Sequence, residues 1–216
     1  MSKITEFESI LDSHCKLLCD DICKELPIDG MFFDIGSNTG HLAKKIYDCR
    51  PDCHFHLFEP VDEYYSEIIN KFSDIQNISI NKLVVSYEDD EICKIWKSGG
   101  NLGWNTILEN ALNKGDTSED CITTTLDTYI KTNSIKHIDV IKIDVELAET
   151  YVIKGFHEYL LNTKKLPTIF CEIAGSSSDN PIFNLLSEEL EFLFTLGYEQ
   201  FEYDRGHTFD IIMRPI

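Results

Sequence analysis

A strand that runs straight into a glycine loop constrains this chain more than any other feature. Residues 31–35 read Met-Phe-Phe-Asp-Ile. The next five, Gly36-Ser37-Asn38-Thr39-Gly40, lead into a helical pattern over about 39–48. Glycine accepts the sharp, left-handed backbone that such a turn needs, and it lets the main chain approach a ligand closely. The rhythm then repeats. A second strand at about 54–58 ends at Glu59-Pro60, a helix covers about 61–72, and a third strand lies near 78–85. Strands alternating with helices predict a mostly parallel sheet with helices on both faces.

The stretch 86–125 is less regular. It holds a strand near Ile92–Trp96, then the turn-rich run Ser98 to Gly103, in which Gly99 to Gly103 could form a lid that excludes water. Thr123-Thr124-Thr125-Leu126-Asp127 leads into a short helix. The apolar run at about 138–143 predicts another strand. The helix after it places Ala148, Tyr151, Val152, Phe156, Tyr159 and Leu160 on one face. Pro167 opens a strand to about Ile173, and Pro181 opens a helix. Tyr198–Tyr203 and Thr208–Arg214 read as an antiparallel pair. Upstream, apolar positions over residues 3–25 recur at helical spacing until Pro27 and Gly30. The expected architecture is one α/β domain over 1–216. An N-terminal helical extension (1–28) precedes a Rossmann-like, doubly wound, mostly parallel core (29–216) that ends in the antiparallel strand pair.

Charge and cysteine usage narrow the setting. The formal net charge of −19 comes from acids spread along the chain. Such a field repels phosphate backbones, so DNA or RNA is not an expected partner. No run approaches the roughly 20 apolar residues of a membrane span. The start, MSKITEFESI, lacks a basic-then-apolar signal pattern, which predicts the cytoplasm or a similar reducing compartment. The eight cysteines include no C-x-x-C pair. Cys15, Cys19 and Cys23 recur every four residues on one helical face, and Cys49 and Cys53 repeat the spacing across a turn. They read as small apolar side chains in a reducing cell. A metal cluster is the rival reading, although structural zinc favours tighter Cys/His pairs.

In a sheet of this kind the ligand crevice lies at the carboxyl ends of the strands. The loop is G-x-x-x-G, not the G-x-G-x-x-G of dinucleotide enzymes. His41 stands where a phosphate-binding loop would need Lys. Asp34, just before the loop, would repel a pyrophosphate and suit a cation. Glu59 follows Gly40 by 19 residues, near the spacing of about 20 at which an acid grips the ribose of an adenosine ligand. S-adenosylmethionine combines an adenosine with a positively charged sulfonium, and it satisfies both clues.

The segment Ile138-Asp139-Val140-Ile141-Lys142-Ile143-Asp144-Val145-Glu146-Leu147-Ala148-Glu149, with Val152-Ile153-Lys154-Gly155-Phe156, is the most specific in the chain. Together with FDIGSNTG, FEP and TTTLDTYI it resembles the FkbM-type methyltransferases, in family order over about residues 31–175. The resemblance implies a class I methyltransferase fold, S-adenosylmethionine as cofactor, and O-methylation of a sugar or another small hydroxylated compound. It implies that Asp34, Gly36, Ser37, Asn38, Thr39 and Gly40 cradle the methionine part. Glu59, with Pro60, would hold the ribose, Ser86 would lie near the adenine, and Asp144 beside the reacting methyl group. The family pattern D-V-E-G-x-E departs here at Leu147, which bears on the acceptor site.

Asp144 is the first candidate for general base or acceptor positioning, with Glu146 and Glu149 as further carboxylates that a divalent cation could bind. Capping of the next helix is the rival role for these two. Glu172, at the end of the next strand, should edge the same crevice. His207 could reach it from the last loop, and Trp104 and Trp96 could stack on a substrate, with core packing the rival role for Trp96. Two functional alternatives stand beside methyl transfer: a nicotinamide-dependent oxidoreductase, and a non-catalytic binding protein that keeps the fold.

Overall fold

Alternation along β1 (Met31–Ile35) divides the interior of this protein in two. In the computed structural model, which describes residues 15–98, 103–109, 111, 114–173, 181–204 and 209–216, Phe32 faces one hydrophobic core while Phe33 and Ile35 face another. The same parity runs through the neighbouring strands. Phe55 and Leu57 of β2 (His54–Phe58), Val140 of β7 (Val140–Ile143) and Phe170 of β8 (Thr168–Ile173) join Phe32. Phe58, Ile141, Ile143, Ile169 and Cys171 join Phe33. Successive strand side chains point to opposite faces, so a strand covered on both sides must be apolar at every position.

Helices cover both faces. On the Phe32 side lie α1 (15–25), α2 (His41–Cys49) and α3 (Asp62–Phe72), contributing Ile22, Ile46, Ile68 and Phe72. On the Phe33 side lie α4 (Leu126–Thr132), α5 (Glu149–Lys154), α6 (His157–Asn162) and α7 (Pro181–Thr195), contributing Leu126, Val152, Leu160 and Leu193. The main sheet has seven strands in the order β3-β2-β1-β7-β8-β10-β9, with β3 (Ile78–Asn81), β9 (Tyr198–Asp204) and β10 (Phe209–Pro215) completing it. Only β10 runs against its neighbours β8 and β9. The doubly wound expectation therefore holds, including the antiparallel strand pair. Among the described residues no helix is long and apolar enough to cross a membrane.

Three elements differ from the sequence reading. The single strand foreseen at 78–85 is two, because β4 (Val84–Val85) leaves the main sheet for a three-stranded one, order β4-β6-β5. Its partners are β5 (Ile92–Lys97), as foreseen, and β6 (Thr117–Thr124), which was not foreseen. β6 is mostly polar, even where it is buried, so it carries no clear apolar alternation, and pairing with β5 decides it. The helix expected across 148–160 is broken into α5 and α6. Gly155 lies against the Ser86 carbonyl so closely that a Cβ would stand 2.0 Å from that oxygen. Asp127 then starts α6 anew, its carboxylate accepting from the Glu158 and Tyr159 amides at 2.9 and 2.7 Å.

The threonine-rich segment before α4 gains a physical explanation. Asp89 accepts from the Thr125 amide at 2.6 Å and from the Thr128 hydroxyl at 2.7 Å, while the Thr125 side chain caps α4 through the Thr128 amide. Gly155→Ala is expected to cost about 1–3 kcal/mol, because the methyl group meets rigid backbone; a loss of urea midpoint at unchanged m-value would show it.

Candidate active site

The strand order reverses between β1 and β7, and at the carboxyl ends of such a switch point an open α/β sheet leaves a crevice. A cleft of about 570 Å³, partly open to solvent, lies there. Ile35, Phe58, Val84, Val85 and Ile95 form apolar walls. Gly36, Asn38, Glu59 and Asn105 supply polar edges, and Pro60, Val145 and Gly103 also line it. The small sheet thus walls the cleft through β4 and β5.

The glycine loop is held in shape by its own side chains. Gly36 has φ +80 and a Cβ there would stand 1.9 Å from the Asp144 carbonyl, so glycine is required twice over. Gly40 ends the turn at φ +73. The Ser37 hydroxyl donates to the Asp34 carbonyl at 2.9 Å and accepts from the Phe58 amide at 3.1 Å. The Lys71 ammonium donates to the buried Thr39 carbonyl at 2.7 Å. Glu59 accepts from the Asn38 amide at 2.8 Å and from the Val61 amide at 2.9 Å. Burial pushes its carboxyl up to about 8, with these amides opposing. In the ionised form each oxygen keeps a second lone pair for a further donor.

Asp34 differs from its expected place. Its side chain shares the parity of Phe32, on the opposite face from Ile35, and it is fully buried. Neither carboxylate oxygen accepts a hydrogen bond. A carboxylate with no accessible surface cannot touch a ligand while the loop keeps this form. Its partner is Lys142, which pairs with it in register. The Lys142 ammonium lies 3.4 Å from Asp34 Oδ1 and 3.0 Å from Asp144 Oδ2, and it donates to the Gly36 carbonyl at 3.1 Å. Burial works against its charge, but Asp144 and Asp34 outweigh that and raise its pKa. Burial raises the Asp34 pKa, with Lys142 opposing. Sequence reasoning missed Lys142 as a site residue. The signal was present: a lone lysine inside an otherwise apolar buried strand demands partners.

Asp144, Glu146 and Glu172 converge beyond Lys142, their oxygens within 4.8 Å of one another. Asp144 pushes the Glu172 carboxyl up to about 10, with burial adding to it. Burial, then Asp144, pushes Glu146 up to about 8. Glu149 stands apart. It is buried, and its Oε1 accepts from the Val145 and Leu147 amides, both at 3.2 Å, so it braces the turn that leads into α5. Burial pushes it up to about 7. Of the two glutamates, Glu149 alone lies in the first turn of α5, where an acid is favourable, and no side-chain cap bond is made at the N-cap of that helix. The three remaining carboxyls fit a divalent cation poorly, because Lys142 already holds the cationic position beside Asp144.

Leu147 occupies a backbone at φ +79, directly after Glu146 at φ +55. The family's glycine at this position is therefore a backbone requirement that leucine meets under strain. Ser86 is buried beside Gly155 and does not line the cleft; Leu83, Val84 and Val85 just before it do. Trp104 is exposed, while Trp96 carries the Lys114 ammonium 3.7 Å above its ring. His207 and the lid residues 99–102 lie outside the described residues.

The sequence profile described as the methyltransferase FkbM domain matches residues 34–200. No curated protein matches the sequence significantly. Among solved structures, a candidate rRNA methylase from Clostridium thermocellum superposes at TM-score 0.58 with 10% identity, covering 93% of this chain and 94% of its own. A candidate methyltransferase from Streptococcus mutans in complex with SAH gives 0.57 and 8%, covering 93% and 97%. A candidate caffeoyl-CoA O-methyltransferase from Staphylococcus aureus gives 0.56 and 13%, covering 99% and 93%. At such identities these likenesses establish the fold.

The buried carboxyls set a pH dependence. In the unfolded chain glutamates lose protons near 4.5, whereas the folded protein retains them on Glu149 to about 7, on Glu59 and Glu146 to about 8 and on Glu172 to about 10. Above 4.5 the folded state binds more protons than the unfolded one, so stability falls as pH rises through this window. The thermal midpoint of the ligand-free protein should drop between pH 5.5 and 8.5, and Glu172→Gln should flatten the drop; an unchanged slope in that variant would contradict the carboxyl cluster. Leu147→Gly relieves about 1 kcal/mol of backbone strain. It should hold or raise the thermal midpoint by about 2–4 °C, with Leu147→Val lowering it.

Proposed function

This chain belongs to the FkbM methyltransferase family, and from that premise we propose that it methylates a hydroxyl of a small acceptor with S-adenosylmethionine as donor. The observation that carries this reading is the placement of two unlike halves at one switch point. An apolar cleft edged by Gly36 and Glu59 lies on the β1–β2 side, and a carboxyl cluster lies on the β7–β8 side. The residues present fit the donor: the cleft walls suit an adenine, and Glu59 has lone pairs to spare for ribose hydroxyls.

Bound there, S-adenosylmethionine supplies an activated methyl group on a sulfonium, already a good leaving group. The protein's task is then to position the acceptor and take its proton. Val84, Val85 and Ile95 would supply apolar walls for the base, Glu59 would accept from the ribose, and the main chain of Gly36 to Asn38 would hold the methionine part. Ser37, Thr39 and Gly40 shape that turn. Asp34 acts from beneath, by holding Lys142. Asp144 accepts the hydrogen bond of the acceptor hydroxyl, oriented by Lys142 at 3.0 Å. Glu146, whose carboxyl burial and Asp144 push up to about 8, keeps its proton at neutral pH and becomes a second acceptor only as the pH rises through that value. Glu172, which keeps its own proton to about 10, donates to Asp144 and fixes its rotamer.

The carboxyl-rich rim and the net charge of −19 favour a neutral or cationic small molecule over a nucleic acid. Eight free cysteines suit a reducing compartment such as the cytoplasm.

Calorimetry with S-adenosylhomocysteine tests the donor site. Binding in the micromolar range is expected, weakened at least tenfold, about 1.4 kcal/mol, in Glu59→Ala. No heat at high micromolar ligand would overturn the reading. Asp144→Asn should leave that affinity within a few-fold while lowering kcat by ~10²-fold or more, once labelled-methyl transfer to a panel of sugars, phenols and RNA has identified the acceptor. Transfer to RNA alone would refute the small-molecule assignment, and binding without transfer to any acceptor would favour a non-catalytic protein.

A further inference from the structure

Away from the cleft, at the opposite end of α2 from the glycine loop, three thiols converge. Cys19 and Cys23 sit one turn apart on the same face of α1, with their sulfurs 3.9 Å apart. Cys49 is the last residue of α2, and its sulfur completes a group whose atoms all lie within 4.8 Å of one another. Cys19 is buried, Cys23 is half-buried and Cys49 is exposed.

We propose that Cys19, Cys23 and Cys49 form a three-thiolate site for a thiophilic d10 cation of the zinc kind, which clamps α1 onto α2. The spacing suits a metal. Thiolates bonded to zinc at about 2.3 Å in a tetrahedron stand about 3.8 Å apart, close to the separation seen. A disulfide would bring two of the sulfurs to about 2.05 Å and leave the third without a role, and the test below separates that outcome from metal binding. Soft sulfur ligands select zinc or copper(I) over magnesium or calcium. The exposed Cys49 side leaves the fourth position to water.

The frame that holds the thiols is rigid. Arg50, directly after Cys49, donates to the Cys23 carbonyl at 3.1 Å and to the Leu26 and Pro27 carbonyls. Its guanidinium is matched by Asp52 at 2.8 Å, so its charge is already neutralised beside the site. The end of α1 is thereby pinned to the end of α2 independently of any ion. On binding, each thiol gives its proton to solvent, so affinity rises with pH. α2 has nine residues, about 13 Å at 1.5 Å each, which separates the ion from the donor cleft.

The test uses the full chain, reduced and stripped with a chelator. Zn²⁺ titrated against a chromophoric competitor should bind at one equivalent and raise the thermal midpoint. Cd²⁺ should give the ultraviolet charge-transfer absorption of thiolate ligation. Cys49→Ser, at an exposed position that folding does not depend on, and Cys23→Ser should each lower zinc affinity at least about tenfold. Cys93→Ser, in the small sheet, should leave it unchanged. Mass spectrometry after alkylation should show zinc protecting Cys19, Cys23 and Cys49. Equal affinity in Cys49→Ser, or alkylation of these three thiols undiminished by zinc, would overturn the proposal. So would a reduced chain with no zinc affinity that oxidises to a disulfide among them. None of these readouts depends on methyl transfer.

Discussion

A single buried ammonium organises the centre of this molecule. Lys142 sits in the middle of the sheet, where an unpaired charge is costly. It is satisfied by Asp34 across the strand pair, Asp144 two residues on, and the Gly36 carbonyl in the loop above. Those three contacts tie β1, β7 and the glycine loop together at the one place where the strand order reverses. Opposite charges in a poorly solvated interior interact more strongly than in water, and removing one partner leaves the other exposed to the full desolvation penalty. The arrangement therefore positions the loop as much as it stabilises the fold.

Around that centre the two halves of the candidate site have different chemistry for a geometric reason. Side chains of one strand parity, Ile35 and Phe58, face the apolar cleft. The other parity carries Asp34 and Lys142 in register on the face toward Phe32. Asp144 and Glu146 lie just beyond the end of β7, and Glu172 lies near the end of β8. Their mutual repulsion is relieved by Lys142 and by protons retained on Glu146 and Glu172. Glu59 has two tasks. It braces the Asn38 amide and still edges the cleft, which couples the shape of the loop to whatever occupies the cleft.

The departure at Leu147 illustrates how a family pattern can encode backbone and not chemistry. At φ +79 the residue lies in a region that glycine enters freely and leucine only with strain. The carboxylate of Glu149, which accepts from the Leu147 amide, and the Thr106 hydroxyl, which donates to the Glu146 carbonyl at 2.8 Å, hold the turn regardless. The strain is local, and the surrounding hydrogen bonds over-determine it.

The alternation of strand and helix, the glycine loop, the terminal antiparallel pair and the family resemblance were all legible in the order of residues, because periodicity and turn chemistry are local properties. So was the position of Glu59, fixed by its distance along the chain from the loop. What the linear order left open was which way side chains point and what they meet across the sheet. Asp34 read as a ligand contact, yet its strand parity turned it inward to Lys142. Glu146 and Glu149 read as equivalent, and the turn at Glu146 and Leu147 made one a cluster member and the other a brace for the turn itself. β6 and the break at Gly155 were invisible, since partners distant in sequence, β5 and Ser86, create them. The chain encodes its local elements directly. Contacts between residues remote in sequence, where charge must be paired and backbone must pass close to backbone, are settled only when the sheet assembles.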